Sequence, residues 1–465
     1  MKKQTIDTRS SGQMKGVALA VALAALAFSA GVQARGLTHP VDPDYKGSVS
    51  VTNAPVYPGD TAEVSGSGFK PGQDVKLLSD GDTITSQPIL RVNAEGKFTA
   101  QVPVPPESPV GLHPVVVQTV NPGYAEVIDF KISPKIPFSV NHDYNIKRAA
   151  LNPGLYQGAY SAKNHAVFVT SAVGRPPVKV SSLMKINPSS LVLEAQVVPP
   201  ATADGKQVEA VYGIAVDDET DTVWTGNTRT GAVAVYKQSD LSLVKQFNDK
   251  IAPHNHGVAV DGKRHRAYVA AHGKNYINIF NTSTLEEKTR LELVSPTRTK
   301  TTPAPLSFAV DEANGKLFAT STTDQLYVID QATETIEKVY NLKGLKGAMS
   351  VAYAPEEGLL FVVGQQTDNL QILNAADGTL KSDTKVGANP LAVTWDPVHK
   401  RAWVANRASN SVAVVDANGN LTANLMGGSY ANHVFTDGKG VVWALNKSRG
   451  ATDPTGDHIS RFSFK

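Results

Sequence analysis

The chain has 465 residues, with 45 Lys and Arg against 42 Asp and Glu, 19% charged and 7% aromatic residues, and no cysteine. That balance excludes a disordered chain, and the missing thiol excludes disulfides, thiolate metal sites and a cysteine nucleophile. The net charge of +3 sits entirely in residues 1–34 (Lys2, Lys3, Arg9 and Lys15 less Asp7), so 41 basic residues face 41 acidic ones in the rest, which has no global field to attract nucleic acid or anionic membrane.

Residues 1–34 have the layout of a cleavable export signal. Lys2, Lys3 and Lys15 form a positive leader, Gly16–Ala30 is apolar, and Val32-Gln33-Ala34 places small residues before Arg35. The apolar run is short for a bilayer span. An exported chain without cysteine suits an oxidising periplasm, which is the location expected.

Residues 35–46 read as a polar, proline-containing linker. Residues 47–135 follow as a separate unit. Short alternating runs at Ser48–Val51, Thr61–Ser65, Val75–Leu78, Lys97–Val102 and His113–Val120 are divided by Pro58-Gly59, Pro71-Gly72, Asp80-Gly81 and Glu95-Gly96. Turns at such spacing predict a β-sandwich. The stretches GSGFKPGQDVKLL, NAEGKFTAQVPVP and SPVGLHPVVVQ resemble bacterial immunoglobulin-like modules. That resemblance implies that Phe69 plugs the sandwich, and that the module is a spacer or adhesion unit rather than a catalyst.

Residues 136–465 are governed by a repeat. YGIAVDDETDTVWTGNTRTGAVAVY, HGVAVDGKRHRAYVAAHGKNYINIF, LSFAVDEANGKLFATSTTDQLYVID and LAVTWDPVHKRAWVANRASNSVAVVD share one plan: an apolar run ending in Asp, a turn, then two further runs. A period of about 40 residues with three or four short strands predicts a β-propeller. Seven units start near Leu155, Val208, Ala252, Pro303, Gly347, Ala388 and Tyr430. Alternation within each run is expected to bury one face of a blade on its neighbour. The last unit has only three strands. The connector 136–152, through Phe138–Lys147, is expected to supply the fourth and close the ring, removing exposed sheet edges. The fold class expected is therefore all-β: a seven-bladed β-propeller preceded by an immunoglobulin-like β-sandwich.

The stretches GLYQGAYSAKNHAVFVTSA, SSLMKINPSSLVLEAQVV and VAVDGKRHRAYVAAHGKNYINIFNTSTLE, with the terminal DHISRF, resemble YncE-like periplasmic members of the YVTN β-propeller family. The family's second-strand motif reads VWTGN, AYVAA, LFATS, LFVVG and AWVAN here, and only the last is close. The resemblance covers Leu155 to Lys465. It implies an exported seven-bladed propeller without an agreed catalytic set, and loose links to nucleic-acid binding and to metal or iron physiology.

Serine-hydrolase, zincin, P-loop and dinucleotide fingerprints are absent. Asp416, Asn418 and Asn420 open like a calcium loop but lack its closing acid, so a hairpin turn is expected there. The recurrent Asp217, Asp261, Asp311 and Asp396 end first strands and are read as turn caps. Function is then expected at the channel mouth, which first strands and the loops after second strands surround. Tyr212, Asn227, Arg229, His272, Lys274, Asn406, Arg407, Asn446 and Arg449 are the ligand-binding candidates. Their basic bias suits an anion. His254 and His256, two apart in PHNHGVAV, with His433 in YANHVFTD, are the metal candidates, suited to zinc or copper. The leading expectation is a non-enzymatic binding or scaffold protein whose channel mouth takes a small anion, a polymer or a protein partner. The alternatives are a zinc, copper or iron homeostasis protein, a single-stranded nucleic-acid binder, and a propeller lactonase or lyase.

Overall fold

The computed structural model describes residues 40–140, 142–298 and 301–465. The export-signal reading of residues 1–34 lies outside them. The described residues contain strands and turns and no helix, hence no helix long and apolar enough to cross a membrane.

Two sheets come first. One pairs Ser48–Val51, Thr61–Ser67 and Phe98–Pro103; the other is built on Asp74–Ser79, Gly111–Val120 and Tyr124–Ile132, with two short strands at its edge. Alternating residues of both, among them Val64, Leu77, Val102, Val115, Val117 and Phe130, meet in one apolar core. Phe69 is buried there, its ring 5.3 Å from that of Phe98 and 5.9 Å from Tyr45.

Beyond these, seven four-stranded antiparallel sheets are present among the described residues, six of them consecutive up-and-down meanders. The seventh combines Ala431–Thr436, Val441–Asn446 and His458–Phe464 with Tyr144–Ala150 from before the first meander, in a register from Phe464 opposite Tyr144 to His458 opposite Ala150. The pairing strand starts at Tyr144, later than Phe138. The preceding residues lie instead on the sixth sheet, where Ser139 N–H donates to Asn424 O at 2.8 Å and Asn424 Nδ2 to Ile136 O at 3.0 Å. The first strands of the seven sheets touch in succession, and the last touches the first. The arrangement is propeller-like.

Strict alternation holds less widely than the repeats suggest. Thr222–Asn227 is buried at every position and Ala232–Lys237 at all but its last, whereas the outer Glu286–Glu292 is exposed almost throughout. A middle strand has a neighbouring sheet on both faces, so both sets of side chains must be apolar or internally bonded. Trp224, Trp403 and Trp443 fill these spaces between sheets.

The recurrent aspartates cap turns. Asp217, Asp261, Asp311 and Asp396 are buried, and each Oδ1 accepts a backbone N–H two or three residues on, at 3.0–3.1 Å. Asp396 also holds His399 Nδ1 at 2.7 Å. Asp396→Ala is expected to cost roughly 2 kcal/mol, the scale of hydrogen bonds to a buried charge. Urea unfolding would read it, and an unchanged midpoint would refute the capping role.

At the axis the inner strands nearly touch. A methyl group added at Gly213 would lie 2.4 Å from His256 O, and one at Gly257 would lie 2.4 Å from Leu306 O. Only glycine permits that approach of one inner strand to the next.

Candidate ligand-binding site at the channel mouth

Six of the seven inner strands carry a β-bulge near their start, at Leu155/Gly158, Val211/Gly213, Pro305/Phe308, Ala348/Ser350, Pro390/Ala392 and Ala431/His433. A bulge inserts an unpaired residue and re-aims its side chain. The unpaired residues include Tyr156, Leu306, Met349, Leu391 and Asn432, and all five line one axial cavity of about 520 Å³. His256, His272, Gln365 and His433 add polar groups to the same wall. Irregular backbone, repeated from sheet to sheet, thus creates the lining.

Above Tyr156 the rim is cationic and aromatic. The Tyr156 and Tyr212 rings stack at 3.5 Å. Lys447 Nζ lies 3.5 Å from the centre of the Tyr156 ring, and the Arg229 guanidinium lies 5.8 Å from Tyr212 and donates to its Oη at 3.2 Å. Arg407 and Arg449 flank Tyr430 at 4.5 and 5.0 Å. Arg407 Nη1 donates to Asn432 Oδ1 at 2.6 Å, and Arg449 Nη2 to Asn410 Oδ1 at 3.0 Å. These partners are neutral oxygens and ring faces. None of the four cations forms an ion pair among the described residues. Asp457, the carboxylate that acts on Lys447, accepts the N–H groups of Gly154 and Ser448 on Oδ1 and forms no ion pair with the lysine.

Titration behaviour follows from enclosure. Burial first, then the charges of Arg407 and Arg229, brings the Lys447 ammonium down to about 8. Burial lowers the Arg407 guanidinium as well. Burial, with the neighbouring His272, His254 and Arg229, brings His256 down to about 4; burial alone brings His433 to about 4. Both imidazoles are neutral at pH 7.

The positions expected from sequence divide into three groups. Tyr212, Arg229, Arg407 and Arg449 gather at the rim, and His272 lines the cavity. Lys274 is exposed and lines no part of the cavity. Asn227, Asn406 and Asn446 are buried inside the sheets: Asn406 Nδ2 donates to Val386 O at 2.6 Å and Asn446 Nδ2 to Ser429 O at 2.8 Å. Each is the last residue of a second strand; the Asn406 and Asn446 amides brace the loop between sheets, and the Asn227 amide is buried without a hydrogen-bond partner among the described residues.

The histidine trio is not assembled. No three His, Cys, Asp or Glu side chains among the described residues are grouped to share a metal ion. His254 has φ 52°, a left-handed turn that breaks the extended chain on which an i, i+2 pair shares a side. The imidazole beside His256 is His272, with ring centres 5.9 Å apart. His433 spends Nδ1 accepting the Gly158 N–H at 3.3 Å. Tyr156, Tyr430 and Asn432 belong to the site and were not among the expected ligand contacts. Aligning LYQG of the first inner strand with VYGI of the second would have flagged Tyr156 beside Tyr212.

No family model matches the chain. It is similar to two curated bacterial proteins. One is the uncharacterized protein YncE of Salmonella typhi and the other that of Salmonella typhimurium strain LT2, each 21% identical over 292 residues, covering 60% of this chain and 78% of the relative. The likeness agrees with a propeller-like fold, and the relatives' name carries no activity.

Proposed function

We propose that this chain is an exported periplasmic binding protein that captures a small anion at its channel mouth without turning it over. In this reading residues 1–34 are the export signal, 47–135 an immunoglobulin-like module used as spacer, and 136–465 a seven-bladed β-propeller. Seven four-stranded sheets with contacting inner strands support the blade count, and two sheets on a common core support the module.

One observation carries the proposal. Arg229, Arg407 and Lys447, from three different sheets, converge beside the cavity on neutral hydrogen-bond and ring partners, three cations to the one carboxylate of Asp457 that acts on Lys447. Like charges brought together out of water cost free energy unless an opposite charge joins them. A carboxylate or phosphate entering there gains charge-assisted hydrogen bonds and relieves the repulsion. The cavity beneath is polar on some walls and apolar on others, as a binding pocket is.

Calorimetric titration with inorganic phosphate and with oxalate at low salt tests this. Lys447 keeps its proton below about 8 and loses it above. Affinity is therefore expected to fall roughly tenfold from pH 7 to pH 9, with proton uptake on binding near pH 8. The other charged groups that act on Lys447 are Arg407, Asp457 and Arg229. No binding, or affinity indifferent to pH, would overturn the proposal. Steeply salt-dependent binding of a single-stranded oligonucleotide without binding of small anions would shift it to nucleic acid.

A further inference from the structure

We infer that Lys447 is a covalent capture site for a small anion that also carries an aldehyde or ketone, joined to the protein as an imine. The inference rests on the anion site proposed above and assigns the ligand's second functional group.

The geometry sets this lysine apart. Two other half-buried lysines find acceptors: Lys316 reaches Asp330 at 2.8 Å and Glu337 at 2.6 Å, and Lys131 reaches Asp368 at 2.7 Å and Gln365 O at 3.0 Å. Lys447 Nζ has no hydrogen-bond acceptor and no ion pair among the described residues; its partner is the face of Tyr156. A cation–π contact alone returns about 0.5–2 kcal/mol, less than several kcal/mol for desolvating an ion. Arg407 and Arg229 both act on it, against the single carboxylate of Asp457. A lysine kept as a counter-ion would have an acceptor in reach; a lysine kept as an amine is better placed where its proton is easily lost. Enclosure beside another cation is how amine nucleophiles are activated.

The arginines complete the arrangement. Arg407 is held to Asn432 and Arg229 to Tyr212, so both forks are fixed before a ligand arrives. An anionic group on the guanidinium side would leave an adjoining carbonyl carbon facing the amine. The neutral amine then attacks that carbon, forming a C–N bond while the carbonyl electron pair moves to oxygen and is protonated. One amine proton passes to this oxygen as the carbinolamine forms, the second leaves with it as water, and C=N forms with no proton left on the neutral imine nitrogen. Amine and carbonyl become imine and water, with nothing oxidised or reduced and no co-reactant.

The test uses the full mature chain with glyoxylate as probe and cyanoborohydride to reduce any imine, followed by peptide mass analysis. The expected result is one stable adduct on Lys447, formed at least tenfold faster than on any other lysine and suppressed by excess oxalate. Lys447→Arg keeps the charge and removes the nucleophile. It should lose the dominant adduct. Labelling spread over exposed lysines, or none at Lys447, overturns the inference. Oxalate binding without that adduct leaves the anion site standing; loss of both refutes the two together. Oxalate protection in the wild type gives the same answer if the variant fails to fold.

Discussion

Replacing Arg407 by Gln and Lys447 by Met together should weaken phosphate and oxalate binding by roughly 100- to 1,000-fold. Each side chain offers the ligand a charge-assisted contact worth about 1.5–3 kcal/mol, and the two act on one anion, so their effects fall short of simple addition. Arg407 donates to Asn432 on the cavity wall and Lys447 covers Tyr156, so neither carries the packing between sheets. The double variant should therefore melt no lower than wild type. It should even melt slightly higher, because two enclosed like charges have gone. Calorimetry gives the affinity and circular dichroism the melting temperature. A large loss of stability would mean that the cluster is structural, and an unchanged affinity that the ligand sits elsewhere.

Mild acid should destabilise the protein through two cavity histidines. His256 and His433 titrate near 4 in the folded chain and near 6.5 when unfolded. Above pH 6.5 both states hold neutral imidazoles and no stability difference arises. Between pH 6.5 and 4 the unfolded chain takes up protons that the folded chain refuses, so stability drops as pH falls through this window. The loss is on the order of 3 kcal/mol for each histidine at its full extent. His433 has a specific reason to stay neutral: Nδ1 accepts the Gly158 N–H and has no room for a proton. His433→Gln should flatten the pH dependence between 6.5 and 4 by about half. Urea midpoints at pH 7, 5 and 4 measure it, and parallel slopes for wild type and variant would contradict the assignment.

The strands were legible because their signals are local. LYVID, WVAN and NIF declare themselves through β-branched and aromatic runs, and each capping Asp lies within three residues of the N–H it holds. The rim arginines were legible as members of loops after second strands. The asparagines that end those strands were misread as contacts because nothing local distinguishes a side chain that braces its loop from one that faces a ligand. Asn406 and Arg407 are neighbours in sequence, yet one points between sheets and the other toward the cavity.

The sequence by itself determined a chain of repeated antiparallel strands with capped turns, since strand propensity, turn chemistry and the repeat period are properties of short segments. It also determined which loops would carry cations. Tertiary structure alone decided that Tyr156, Arg229, Arg407 and Lys447 share one rim and that His254, His256 and His433 are not grouped as three ligands among the described residues. Those outcomes depend on bulges that re-aim one residue per inner strand, on a left-handed turn at His254, and on glycines at the axis that bring the strands together. Each is a backbone displacement of a few ångströms or less, and its effect on which side chains meet appears only when the sheets pack around a common channel.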